Sequence, residues 1–248
     1  MIFWIKSGTT ESWSKLNSKN TEIDIHEALL RQGTVRHTSR KYEKGSYLFR
    51  EGEPIKGIFL LKSGKVQIGK VTPEGRELTL KICGTSQVVG EITVFAGPAH
   101  YRLDAKAIED TECLKIAIED LEEALQRDQE LAIAFMRWTG IDQQKTQTKF
   151  RDLLLHGKKG ALYSTLIRLS NSYGKAHDEG VLIDVALTNQ DLANFCGMTR
   201  EVVNRMLSDL KKDRIISMED GKLVIHQIPK LKDTINCENC PIYLCKID

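Results

Sequence analysis

No cysteine precedes Cys83 in this 248-residue chain, which excludes a metal or redox centre built from N-terminal thiols. No apolar run approaches the roughly 18 residues that a membrane-spanning helix needs. The opening Met-Ile-Phe-Trp-Ile-Lys is too short, and turns polar too soon, for a secretory signal. Both absences point to a cytoplasmic protein. A strong charge of one sign is missing too: the formal net charge is +2, and residues 158–232 hold 12 basic against 9 acidic side chains. Any nucleic-acid partner must therefore be argued from a motif rather than from composition. Phosphate loops are absent, because Gly157-Lys-Lys-Gly160 has neither Walker nor dinucleotide spacing. The six histidines are scattered, and no catalytic His/Ser/Asp set is evident. The chain does not read as an enzyme.

What is present is ordinary for a globular chain, with 41% hydrophobic and 28% charged residues and room for one large or two ordinary domains. Residues 1–40 are weakly patterned, an N-terminal arm with a short helix near 26–32. Short β-rich runs follow at 46–50, 57–62, 65–71, 77–82 and 105–116, with turns at Ser63-Gly64 and Thr72-Pro73-Glu74-Gly75. Such spacing predicts a sandwich or roll. From 118 to 156 helical spacing takes over, with Leu121, Leu125, Leu131, Phe135, Trp138 and Ile141 in one stripe that Phe150, Leu153 and Leu154 resume. One long helix is predicted, weakened at Gly140 by roughly 1 kcal/mol, its apolar face paired with a second copy. A hinge at 157–160, a helix at 161–173, a short strand around 181–185, two helices and a hairpin at 215–218 and 222–227 complete the pattern of a winged helix.

The two helices carry a DNA-reading pattern. Thr188-Asn-Gln-Asp191 reads as a capping box, Gly197 supplies the turn, and Thr199 is placed to cap the next helix. In that helix Val203, Met206, Leu207 and Leu210 form the buried face. Arg200, Glu201, Asn204, Arg205 and Ser208 form the other. Arg can fork to guanine, Glu can accept from cytosine and Asn can pair with adenine, and all lie near the helix end that enters a major groove. A merely solvated face is the competing reading of such a helix; the caps, turn glycine and trailing hairpin favour double-stranded DNA.

Over about residues 40–230 the chain resembles the CRP/FNR family of bacterial transcription regulators. The stretch 187–207, Leu-Thr-Asn-Gln-Asp-Leu-Ala-Asn-Phe-Cys-Gly-Met-Thr-Arg-Glu-Val-Val-Asn-Arg-Met-Leu, looks like the family's helix-turn-helix. Tyr47-Leu-Phe-Arg-Glu-Gly-Glu-Pro, Leu60-Leu-Lys-Ser-Gly-Lys and Val89-Gly-Glu-Ile resemble its β-roll. The resemblance implies an α+β architecture: N-terminal arm and cyclic-nucleotide-binding-like β-roll (1–117), dimerisation helix region (118–157), winged-helix DNA-binding domain (158–230) and cysteine tail (231–248). It further implies a homodimer on a palindromic site, with half-sites about 34 Å apart, and contact with RNA polymerase. Arg200, Glu201 and Arg205 fall at the family's base-reading positions, and Arg200 with Glu201 implies a TGTGA-type half-site. The family's cyclic-AMP receptors pair Gly-Glu with a downstream Arg-Ser. Gly90-Glu91 is here, but Arg102 is followed by Leu103 and falls where the Ser should be, with Tyr101 where the Arg should be. Cyclic-nucleotide binding is not expected, and Glu91 is assigned to a structural turn.

Six cysteines divide into two kinds. Cys83, Cys113 and Cys196 stand singly in apolar stretches, as buried quiet thiols do. Cys237, Cys240 and Cys245 cluster in a polar tail at C-x2-C-x4-C spacing, from which thiolates can converge on one soft metal centre. A zinc site completed by Asp or His, a Cys237–Cys240 disulfide switch and an iron–sulfur electron carrier are the rivals. Within the family the tail resembles the Bacillus-type anaerobic regulators, whose C-terminal three-cysteine set binds a [4Fe–4S] cluster, one per chain. That resemblance implies an aspartate as fourth ligand from the long helix. Asp152 matches best, ahead of Asp142, with His156 chemically possible. Oxygen is then the implied signal.

Overall fold

The computed structural model describes residues 25–248 except Gln32 and Thr34. The expected arm before residue 25 lies outside the described residues. The helix expected near 26–32 is α1 (Ile25–Leu30). Among the described residues eight strands make the first half: β1 (Thr38–Tyr42), β2 (Tyr47–Phe49), β3 (Gly57–Ser63), β4 (Val66–Val71), β5 (Glu77–Cys83), β6 (Val88–Val89), β7 (Asp104–Ala107) and β8 (Thr111–Ala117). They pair antiparallel into two four-stranded sheets, ordered β1-β8-β3-β6 and β2-β7-β4-β5. The run at 105–116 is thus two strands in different sheets. Asp110 breaks it, its carboxylate accepting the Lys44 amide at 2.8 Å while the Thr111 hydroxyl donates to the Glu109 carbonyl at 2.8 Å.

Strand β3 shows how the roll is held. Its residues 57–61 are buried without alternation, because both faces are covered. Phe59 and Leu61 point into the roll with Phe49, Val66 and Tyr101. Ile58 and Leu60 point the other way, against α1 and two helices, α2 (Ile118–Arg127) and α3 (Gln129–Leu155).

The single long helix expected over 118–156 is these two. Asp128 ends α2 and caps α3, its carboxylate accepting the Leu131 amide at 2.9 Å. The break falls inside the six-residue step between Leu125 and Leu131, a step no helix face makes. Gly140 leaves α3 unbroken. The apolar stripe is also reassigned: Leu121, Leu125, Leu131, Phe135 and Trp138 pack on the chain's own roll and α1. A different face of α3 is left exposed, carrying Met136, Phe150 and Leu154. Met136 and Phe150 are two heptads apart, the spacing of a helix–helix seam.

The expected hinge at 157–160 narrows to one junction. His156 leaves helical geometry and Gly157 takes φ +56, after which α4 (Gly157–Tyr173) starts at once. A third sheet, β11-β12-β10-β9, gathers β9 (Gly174–His177), β10 (Gly180–Ile183), β11 (Ile216–Glu219) and β12 (Lys222–Ile225). The β11–β12 wing turns at Asp220-Gly221 with φ of 47° and 77°, the two positive angles of a tight hairpin turn. The domain is completed by α5 (Asn189–Cys196), α6 (Arg200–Lys212) and α7 (Ile228–Thr234). It docks on the roll through β5: Ile82 joins its core and Asn194 donates to Glu77 at 2.9 Å. Among the described residues no helix is long and apolar enough to cross a membrane.

Lys149 of α3 lies at this junction, donating to the Leu80 carbonyl at 2.6 Å and facing the Phe195 ring at 5.3 Å. Burial, with the charge of Arg168 nearby, pulls its ammonium down to about 8 from 10.5. Across that window the unfolded chain holds a proton the folded chain has lost, so this group makes stability rise with pH. Lys149→Met is expected to flatten the rise in unfolding free energy between about pH 8 and about pH 10 relative to the parent, as read by chemical denaturation; equal slopes would contradict the assignment.

Candidate metal centre and nucleic-acid interface

The helix-turn-helix is built as its sequence pattern requires. At α5 the Thr188 hydroxyl accepts the Asp191 amide at 3.1 Å and the Asp191 carboxylate accepts the Thr188 amide at 2.7 Å, a complete capping box. Gly197 ends α5 in left-handed geometry, φ 60°. The α6 helix buries Val203, Leu207 and Leu210 and turns Arg200, Glu201 and Arg205 outward.

One expectation on this face needs correction, and one residue is more engaged than its sequence suggests. Thr199 occupies the capping position of α6 but makes no side-chain cap. The Glu201 carboxylate takes the Thr199 hydroxyl and its own amide instead, which holds its pKa below the usual glutamate value. Asn204 is half-buried and accepts from the Asn189 side chain at 2.5 Å, so its amide ties α5 to α6. Arg200 and Arg205 are long side chains of this face and are exposed.

In the roll, Glu91 holds the Arg102 and Leu103 amides at 2.6 and 2.9 Å, a turn-fastening role. Tyr101 is buried, stacked on Phe49 at 3.7 Å with its hydroxyl donating to the Gly57 carbonyl. Glu91 is thus a backbone brace and Tyr101 a core aromatic.

The tail leaves α7 and folds back on the domain. Asn236 and Asn239 adopt positive φ, 45° and 52°, a geometry Asn tolerates better than most residues. The Cys237 amide donates to the Lys232 carbonyl at 2.9 Å, and a turn from Pro241 returns Cys245 to the core. Cys237 and Cys245 border a cavity of about 20 Å³ with Asp152, His156, Arg151 and Ser164. Cys240 joins the group through Arg151, which reaches its sulfur at 3.7 Å and the Asp152 carboxylate at 2.9 Å. Among the described residues no three His, Cys, Asp or Glu side chains converge closely enough to hold one metal ion.

The donor chemistry nonetheless suits a thiophilic centre: two thiols and one carboxylate border a common space, and a third thiol, Cys240, stands behind Arg151. Cys245 feels the whole set, its thiol pushed up by burial, pulled back by Arg168, and raised further by Cys237, Cys240 and Asp152. Burial would also raise Asp152, but hydrogen bonds from Arg168, Ser164 and Arg151 outweigh it and keep the carboxyl below the usual aspartate value. Asp142 is placed elsewhere, paired with Lys81 at 3.1 Å beside a separate cavity of about 840 Å³. By contrast Cys83, Cys113 and Cys196 are buried as expected, and burial raises each thiol to about 11.

Sequence reasoning missed the polar shell around Asp152. Ser164, Arg168 and Asn171 sit three or four residues apart on α4, a polar stripe along one side of a largely buried helix. That stripe was the available signal.

Residues 39–128 match the cyclic nucleotide-binding domain family, and residues 160–234 match the Crp-like helix-turn-helix domain. The anaerobic regulatory protein of Bacillus subtilis (strain 168) is 52% identical over 85% of this chain and 89% of that protein. Among solved structures, FixK2 from Bradyrhizobium japonicum superposes with a TM-score of 0.69 at 21% identity, covering 81% of this chain and 98% of that one. A CRP/FNR-family regulator from Thermus thermophilus gives 0.66 at 19% identity, covering 80% and 98%. With its roll, helix-turn-helix and this level of identity, the chain belongs to the CRP/FNR family of DNA-binding transcription regulators.

Proposed function

We propose that this regulator binds DNA as a homodimer in response to oxygen. In this reading Cys237, Cys240, Cys245 and Asp152 hold one [4Fe–4S] cluster per chain, and a palindromic TGTGA-type site is bound under anaerobic conditions. The observation that carries the reading is the gathering of Asp152 with Cys237 and Cys245 around one cavity, with Arg151 linking Asp152 to Cys240. The likeness to an anaerobic regulatory protein supports it. When bound, the cluster would supply an inorganic core that oxygen can oxidise.

The chain's own residues do the rest. Asp152 belongs to α3 and the cysteines to the tail that packs on the DNA-binding domain. Fastening them together fixes the tilt of that domain against α3. The exposed Met136–Phe150–Leu154 face of α3 is the seam for the second copy, so a fixed tilt in each chain sets the distance between two α6 helices. Only one such distance fits adjacent major grooves. This is differential binding by two conformations, which is what allosteric control requires. Contact with RNA polymerase follows from the family.

Protein isolated without oxygen is expected to be coloured, to contain iron and sulfide, and to lose DNA affinity on exposure to air. Unchanged affinity after air would overturn the reading, as would a colourless chain with one zinc. Cys245→Ser should abolish both colour and specific binding while leaving the fold intact by circular dichroism.

On the DNA side, Arg200→Ala and Arg205→Ala should each weaken specific binding about tenfold or more and relax the sequence preference. Asn204→Ala should do less, since its amide is held by Asn189. Calorimetric titration with cyclic AMP should give no binding heat; micromolar binding would contradict the roles given to Glu91 and Tyr101.

A further inference from the structure

We propose that Arg168 is the positioning residue that fixes Asp152 and Cys245 relative to one another, and through them joins the tail to both α3 and the DNA-binding domain. The inference rests on the reading of the tail given above and extends it to a side chain that touches no cysteine sulfur.

Arg168 is 1% exposed, and its guanidinium works in three directions. Toward α3, Nη2 donates to Asp152 Oδ2 at 2.8 Å and to Thr148 Oγ1 at 3.2 Å. Along α4, Nε donates to Ser164 Oγ at 3.1 Å, and that hydroxyl donates to the same Asp152 oxygen at 2.6 Å. Toward the tail, Nη1 donates to the carbonyls of Leu244 at 3.1 Å and Lys246 at 3.4 Å, one on either side of Cys245. Asn171 completes the grip by donating to the Cys245 carbonyl at 2.7 Å. Successive carbonyls 244, 245 and 246 are therefore pinned by two side chains of one helix, one of which also holds Asp152.

The other two cysteines are held differently. Cys237 and Cys240 stand on the turn through Asn236 and Asn239, tied by the Cys237 amide to the Lys232 carbonyl and by Arg151 to Glu238 and the Cys240 sulfur. The four candidate donors thus divide into a pair placed by Arg168 and a pair on a surface turn that Arg151 reaches. Only a planar fork of five donors can span an α3 carboxylate and two tail carbonyls at once. A lysine ammonium supplies charge from one point and cannot. Outer partners of this kind set ligand orientation at metal sites.

The test compares Arg168→Lys and Asn171→Ala with the parent full-length chain. Amide exchange is read across residues 242–248 in metal-free protein, and iron content and visible spectrum are read after anaerobic isolation. Arg168→Lys is expected to keep the parent's circular dichroism, to speed tail exchange about tenfold or more, and to cut iron content to about half or less with an altered spectrum. If lysine restores parental exchange, iron and spectrum, Arg168 serves only to neutralise Asp152 and the proposal is overturned. Should Arg168→Lys fail to fold, Asn171→Ala decides, because it removes a tail contact without stranding a charge. Faster exchange at 244–246 with reduced iron supports the proposal; parental values overturn it. A parent chain without iron would overturn the reading of the tail, whereas the exchange experiment reads the pin itself.

Discussion

The buried pair of Arg168 and Asp152 is the constraint on which the rest of this molecule turns. Burying two opposite charges costs several kcal/mol per ion before their attraction is counted, and apolar replacements are often as stable. Stability alone therefore gives no reason for such a pair. Its partners give one: Thr148 and Asp152 come from α3, Ser164 from α4, and Leu244 and Lys246 from the tail. Removing one ion would strand the other at a cost of roughly 3–5 kcal/mol, so α3, α4 and tail are held in one arrangement or not at all. Among the described residues no buried side-chain polar atom lacks a partner, which is the condition for such a network to specify geometry.

In the roll, Glu91 and Tyr101 are taken up by the fold itself. Residues 39–128 match a cyclic nucleotide-binding domain, yet Glu91 braces two amides and Tyr101 fills the core. The Glu91 carboxylate is already engaged by the Arg102 and Leu103 amides, and at position 101 a buried tyrosine ring stands in place of a guanidinium. The roll instead serves as a platform: α2 and α3 pack on β3 and β8 on one side, and α5 docks on β5 on another. The proposed control point lies at the far end of α3, where the tail returns.

Much of this is legible from sequence because it rests on local rules. The capping box at Thr188, the turn at Gly197, the apolar face of α6 and the Asp220-Gly221 hairpin each follow from backbone chemistry within a few residues. What escapes depends on partners distant in the chain. The apolar stripe from Leu121 to Trp138 has the same spacing whether it meets a second copy or its own roll, and only tertiary packing shows the latter. Strands β1 and β6 escape the pattern because the first is exposed and polar and the second is two residues long. The Asn204–Asn189 contact is likewise invisible in the sequence, where nothing marks Asn189 as its partner. Asp152 stands out in the sequence by likeness alone; its shell of Ser164, Arg168 and Arg151 is visible only in space.

The claim at the centre is that Asp152 and the tail cysteines converge on one iron–sulfur centre. The most direct measurement is a Mössbauer spectrum of iron-57-labelled protein, isolated without oxygen, for the parent and for Asp152→Ala. The account predicts a [4Fe–4S] signal in which one iron site differs from the others through oxygen ligation, with that distinct component changed or lost in Asp152→Ala. Identical spectra for the two proteins, or a parent holding no cluster, would contradict it.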